Sequence, residues 1–140
     1  MELTEKNICN TMENYLESKK YKIKETQSRG KHGIDIEAKQ NSGPYYFIEV
    51  KGCIKGHPYG QLIDALGQIL LRMRQKKGHY GVALPADSYF TEKNRMGHKY
   101  LTDYLSQARG RLKLEIFLDT KKEEILKLTP ECKKFKKVKV

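Results

Sequence analysis

Apolar side chains recur at two periods along the chain, and the changes of period mark its elements. From Leu3 to about Lys20, Ile8, Met12, Tyr15 and Leu16 return at helical spacing on one face, which predicts an amphipathic first helix. Tyr21-Lys22-Ile23-Lys24 alternates as a short strand, and the polar, glycine-bearing segment from Gln27 to His32 reads as a loop. Two runs of period two follow. Ile34 and Ile36 alternate with Asp35 and Glu37, and Ile48 and Val50 alternate with Phe47, Glu49 and Lys51. The intervening Gln40-Asn41-Ser42-Gly43-Pro44 is rich in turn formers, so the two runs are expected to form a hairpin.

Alternation fixes the expected register. Opposing Ile34 to Val50 also opposes Ile36 to Ile48, collects the apolar residues on one face and sets Asp35 opposite Glu49. A slip of one residue would throw the two faces out of phase. Directly opposed positions have Cβ atoms about 5 Å apart, close enough for two carboxylates to share one cation. Lys51 projects from the same face, and so does Glu37, either as a ligand to a second cation or as a solvated residue. The same residue types also serve as ordinary cross-strand surface partners, so the fragment alone does not identify a site.

The glycine-rich segment from Gly52 to Gly60 leads into a predicted helix from about Gln61 to Gln75, with Leu62, Ile63, Leu66, Ile69, Leu70 and Met73 as apolar positions. Along it Gln61, Asp64, Gln68 and Arg72 form a polar stripe, which a hydrated exterior face explains as well as a functional one. His79 to Pro85 reads as a short buried strand stopped by its proline. Strand, helix and strand in this order predict a right-handed unit with parallel pairing. Beyond it the pattern predicts a helix from about Thr91 to Ala108, a strand from Leu112 to Leu118 and a last strand over Ile125 to Leu128. The expected organisation is one domain over residues 1–130 and a basic tail over 131–140. That tail carries five lysines, either as a flexible arm with affinity for phosphate or for solubility alone.

Composition narrows the partner. A chain of 140 residues with 38% apolar side chains can bury one core. Its 28 Lys and Arg against 17 Asp and Glu give a formal charge of +11, which favours a polyanion such as nucleic acid, with an anionic membrane surface as the rival. No apolar stretch approaches the length of a spanning helix, and MELTEKNICN has neither the basic start nor the apolar run of a signal peptide. A cytoplasmic protein with no membrane association is expected. Cys9, Cys53 and Cys132 are isolated and read as packing or incidental thiols, and His32, His57, His79 and His98 form no ligand pair by spacing. Arg29, Lys31 and His32 just ahead of Asp35, together with Lys55 and Arg72, are the candidate phosphate contacts.

Gly33-Ile34-Asp35, then Ile48-Glu49-Val50-Lys51-Gly52, then a helix bearing Gln61 and Gln68 resembles the PD-(D/E)xK nuclease superfamily. The resemblance covers roughly Leu3 to Leu84 in order of elements. Its specific motif is confined to Asp35 through Lys51, with Gly33-Ile34 in place of the proline. It implies an α/β protein with a central mixed β-sheet flanked by helices, restriction endonuclease-like. It also implies that Asp35, Glu49 and the carbonyl of Val50 ligate Mg²⁺, with Mn²⁺ able to substitute. Lys51 would orient the attacking water, and Gln61 or Gln68 would be an ancillary catalytic glutamine. Resolvase-like members carry a further acid on the first helix; Cys9 stands near that position, with Glu5 and Glu13 as neighbours and Glu13 as the candidate. The function so implied is that of a Mg²⁺-dependent DNA endonuclease, paired as a homodimer because cutting both strands calls for two sites related by symmetry. Two alternatives stand beside it: a nucleic-acid-binding or complex-dependent subunit that keeps the fold and cuts nothing alone, and a nuclease acting on RNA.

Overall fold

The computed structural model describes residues 3–24, 36–52, 57–73 and 78–140. The first helix, α1 (Glu5–Ser18), begins where Thr4 and Asn7 cap each other: the Asn7 N–H donates to Thr4 Oγ1 at 3.1 Å and the Thr4 N–H to Asn7 Oδ1 at 3.2 Å. Its buried face is Ile8, Cys9, Met12, Tyr15 and Leu16, the spacing read from the sequence with Cys9 added. Strand β1 (Lys22–Ile23) follows, then β2 (Ile36–Lys39) and β3 (Tyr45–Val50), paired antiparallel with Ile36 opposite Ile48. That is the expected register. Asp35, the residue before Ile36, lies outside the described residues, as do Arg29, Lys31, His32 and Lys55.

Helix α2 (Pro58–Leu71) starts a turn earlier than its apolar pattern suggested, because Pro58 at its first position supplies a helical φ and lacks only an N–H that the first turn leaves unpaired. Strand β4 (His79–Pro85) has the expected bounds and pairs parallel to β3. The segment expected as one helix over Thr91–Ala108 is broken: α3 (Ser88–Thr91), α4 (Met96–Lys99), a π-helical turn (Tyr100–Tyr104) and α5 (Ser106–Leu112) succeed one another. Gly97, inside α4, lets that turn pack back on Tyr89 of α3, since a Cβ there would strike the Tyr89 ring and backbone. Lys113, in the left-handed conformation at φ 53°, ends α5, so β5 (Leu114–Asp119) starts two residues later than expected. Strand β6 (Glu124–Leu128) matches its expectation closely. The basic tail, read from the sequence as either an arm or a merely solubilising segment, contributes β7 (Lys136–Lys139), paired antiparallel to β6.

The seven strands form one mixed, curled sheet in sequence order, with β3, β4 and β5 mutually parallel and the outer strands antiparallel to their neighbours. The architecture is α/β, and the alternation within β3 shows how it is layered. Tyr46, Ile48 and Val50 enter a core shared with α1, whereas Phe47 enters a second core with Leu62, Ala65 and Ile69 of α2 and with Phe90 and Leu101. Among the described residues no helix is long and apolar enough to cross a membrane.

One polar cluster interrupts the α1 side. Glu115, almost fully buried on β5, accepts from the Tyr46 hydroxyl and pairs with Lys127 at 3.1 Å, and Lys127 in turn reaches the Tyr15 hydroxyl at 3.1 Å. Burial pushes the Glu115 carboxyl above the usual carboxylate range, against the pull of Lys127. Lys127 loses by its own burial but is held above its ordinary value by Glu115 and Tyr15. For an acid raised in this way the stabilising contribution is present below the usual carboxylate range and is lost as pH rises through the raised value. Glu115→Gln is therefore expected to flatten the fall of Tm between mildly acidic and neutral pH. A scan of Tm against pH with the same slope for both proteins would contradict this.

Candidate functional site

Strand β3 delivers a carboxylate to the face that α2 covers. Because Ile48 and Val50 turn towards α1, Glu49 between them turns towards α2, where it is only 2% exposed. A carboxylate there is not an ordinary surface partner, since an ionised group so far from water is tolerated only with strong compensating donors. Lys51 follows two residues on. Its N–H donates to the Ala83 carbonyl at 3.0 Å, which carries the β3–β4 pairing one residue past Val50 and holds Lys51 at the edge of the same site, half-buried.

The polar stripe of α2 supplies the donors. Arg72, the C-cap of α2, pairs through Nη1 with Glu49 Oε2 at 2.7 Å. One turn earlier Gln68 bridges the two charged residues. With its amide assigned so that both neighbours are satisfied, its nitrogen donates to Glu49 Oε1 and its oxygen accepts from Lys51 Nζ at 3.1 Å. Both carboxylate oxygens of Glu49 thus have a donor, and a single side chain links the carboxylate to the ammonium. The stripe meets the strand by its C-terminal half. Asp64 is exposed, and Gln61, two turns before Gln68, is buried in the early part of the helix. Of the two candidate glutamines, Gln68 is therefore the one joined to Glu49 and Lys51.

The first helix approaches the same end of β3 through a glycine. A Cβ on Gly52 would lie 2.5 Å from the Glu5 backbone nitrogen and 3.2 Å from Glu5 Cγ, so only glycine lets the start of α1 pack here. Glu5, rather than the candidate Glu13, is thus the helix carboxylate next to the residue after Lys51. Glu13 is half-buried, about 12 Å further along α1 at 1.5 Å per residue, on the helix that packs the opposite sheet face. The signal that could have favoured Glu5 is the pairing of Gly52 with a helix start. Glu37, which shares the face of Glu49, is partnered by Lys24 at 3.0 Å, and that bond holds the Lys24 ammonium above its ordinary value.

A hard divalent cation takes carboxylate and carbonyl oxygens, and Glu49 offers a carboxylate already oriented by two donors. The Val50 side chain is fully buried on the α1 side, which leaves its carbonyl as the group for such a role. Among the described residues no three His, Cys, Asp or Glu side chains group closely enough to form a cation site by themselves; Asp35 is outside them. The chemistry of Glu49 fits the cation, on the condition that the cation shares or displaces the contact with Arg72. Comparison of the chain with protein-family models, with curated proteins and with solved structures gave no match.

Proposed function

We propose that the chain is a Mg²⁺-dependent endonuclease of the restriction endonuclease-like, PD-(D/E)xK type, acting on DNA. The observation that carries this reading is the buried Glu49 joined to Lys51 through Gln68, since a hairpin face serving only solvation has no reason to bury its acid or to tie it to an ammonium. The hairpin register supports it, because Asp35 is bonded to Ile36 and Glu49 to Ile48, and Ile36 pairs with Ile48. Glu49 and Asp35, with the Val50 carbonyl, would hold the cation, which when bound supplies the charge that acidifies water and offsets the phosphate. Lys51 would orient the attacking water and meet negative charge as it develops on the phosphate. Gln68 positions both groups, and the +11 charge draws the polyanion. Cutting both strands would pair two copies of the chain.

One contact favours a second reading. Arg72 already balances Glu49 with an internal guanidinium, as a binding module that had exchanged its cation for a side chain would do. Cleavage of supercoiled plasmid with Mg²⁺ separates the two. Wild type is expected to nick and linearise it, while Asp35→Asn and Lys51→Ala lose about 10²-fold or more, the scale of removing one preorganised charge. Undiminished cutting by both variants would sink the hydrolytic reading. Binding without cutting in either Mg²⁺ or Mn²⁺ would establish the module instead.

A further inference from the structure

The sheet face that carries Glu49 is covered by α2 over β3 and β4, and among the described residues no helix packs on its outer part, over β1 and β2. A cleft of about 390 Å³ lies there, lined among the described residues by Lys22, Ile23, Lys24, Lys39, Gln40, Asn41 and Tyr45. That volume falls within the range of about 300–1,000 Å³ usual for small-ligand sites.

The register explains the lining. Lys22 opposes Lys39 and Lys39 opposes Tyr45, so three side chains stand in one row on one face. Two lysines directly opposed repel each other, a cost to the fold that a bound anion relieves. Lys24, in the next row, is already paired with Glu37, so among the described residues the positive charge that no carboxylate offsets gathers in the row of Tyr45.

Tyr45 ends a stack of three rings. It lies against Phe47 at 5.8 Å and 17°, and Phe47 lies against Tyr80 at 5.3 Å and 20°. Lys39 Nζ is 5.1 Å from the Tyr45 ring centroid. A half-exposed aromatic ring at the end of a stack, covered only by a mobile lysine side chain, offers a base a platform once the ammonium moves from the ring to the phosphate. A base inside a duplex has both faces taken by its neighbours, so only an unpaired one can extend this stack.

We infer that the cleft binds an unpaired nucleotide of a strand whose phosphodiester reaches Glu49 and Lys51, which makes the substrate a nucleic acid with a single-stranded segment. This rests on the hydrolytic reading above for the second half of the statement. Tyr45 and Glu49 are four residues apart on the same face of β3, about 13 Å at 3.3 Å per residue, a span that a few nucleotides of an unstacked strand cross.

The test is fluorescence anisotropy in EDTA, where cleavage does not enter, with labelled oligo-dT, oligo-U and a blunt duplex. Tyr45→Leu is expected to weaken binding of the single strands about tenfold, the scale of one lost stack, and to change duplex binding by less than about twofold. Lys22→Ala with Lys39→Ala is expected to weaken single-strand binding and to lower its salt dependence. Lys39→Gln, which keeps Tyr45 and its packing, should give a smaller loss of the same kind. Unchanged single-strand binding in Tyr45→Leu, or equal losses for duplex and single strand, would overturn the inference. Undiminished plasmid cleavage by both Asp35→Asn and Lys51→Ala would instead remove the hydrolytic reading and leave the nucleotide site standing.

Discussion

Arg109→Leu is expected to leave most of the chain unfolded at 25 °C. Arg109 is 0% exposed, the largest fully buried side chain among the described residues, and it donates to backbone carbonyls. Its Nε reaches the Leu101 carbonyl at 3.0 Å, Nη2 reaches that of Thr102 at 3.0 Å, and Nη1 reaches those of Thr129 and Cys132 at 2.7 Å each. One guanidinium therefore ties the π-helical turn to the segment between β6 and β7. Leucine would fill part of the volume and leave these carbonyls without a donor, at about 1–3 kcal/mol for each one that water cannot reach. Several such losses approach the whole stability of a domain, about 5–15 kcal/mol. Arg109→Lys keeps the charge but not the planar fork, and is expected to lose less. Urea denaturation followed by circular dichroism measures both, and a leucine variant with a midpoint near that of wild type would refute the assignment of Arg109 as a structural tie.

Glu49→Gln is expected to remove cleavage by about 10²-fold or more and also to lower stability, and the second effect is the more informative. Where site carboxylates repel one another, neutralising one stabilises the fold, a familiar exchange of activity for stability. Here Glu49 accepts from Arg72 at 2.7 Å and from Gln68, so its charge is compensated within the protein. The glutamine variant leaves the Arg72 guanidinium, itself only partly exposed, without its carboxylate. The expected cost is about 1–3 kcal/mol. Glu49→Gln with Arg72→Gln should recover part of that stability and none of the cleavage. A single variant more stable than wild type would show that repulsion governs this site, and the role given to Arg72 would fall.

What the sequence made legible follows from how strongly each burial pattern is written. Ile36 and Ile48 found their register because both strands have one face in the α1 core, which a slip would empty. The bounds of β4 were readable because its residues are almost continuously buried and Pro85 ends them. Tyr100, Leu101, Tyr104 and Leu105 have helical spacing, yet the segment is broken by the turn that packs Gly97 back on Tyr89 and by a π-turn, which period counting does not register. Arg109 was invisible for another reason: a charged residue is read as exposed, and only the carbonyls converging on it reverse that. Strand β7 gave almost no signal, since lysines hold its positions except for the half-buried Val138. At the site, Glu49 and Lys51 came from a local motif. The parts played by Gln68 and Arg72 needed the helix to be laid on the strand, and a polar stripe by itself was equally consistent with a wet surface.

The two ends of the sheet bear on how copies of the chain can meet. On one side β1 is two residues long; on the other β7 presents Lys136, Lys137 and Lys139 along a four-residue strand. A short rim and a charged rim both discourage another chain from adding its own strand, since the first offers few hydrogen bonds and the second repels its like. Among the described residues both margins thereby disfavour growth of the sheet from chain to chain, so a second copy of the chain is expected to meet it through helices and loops rather than by adding a strand.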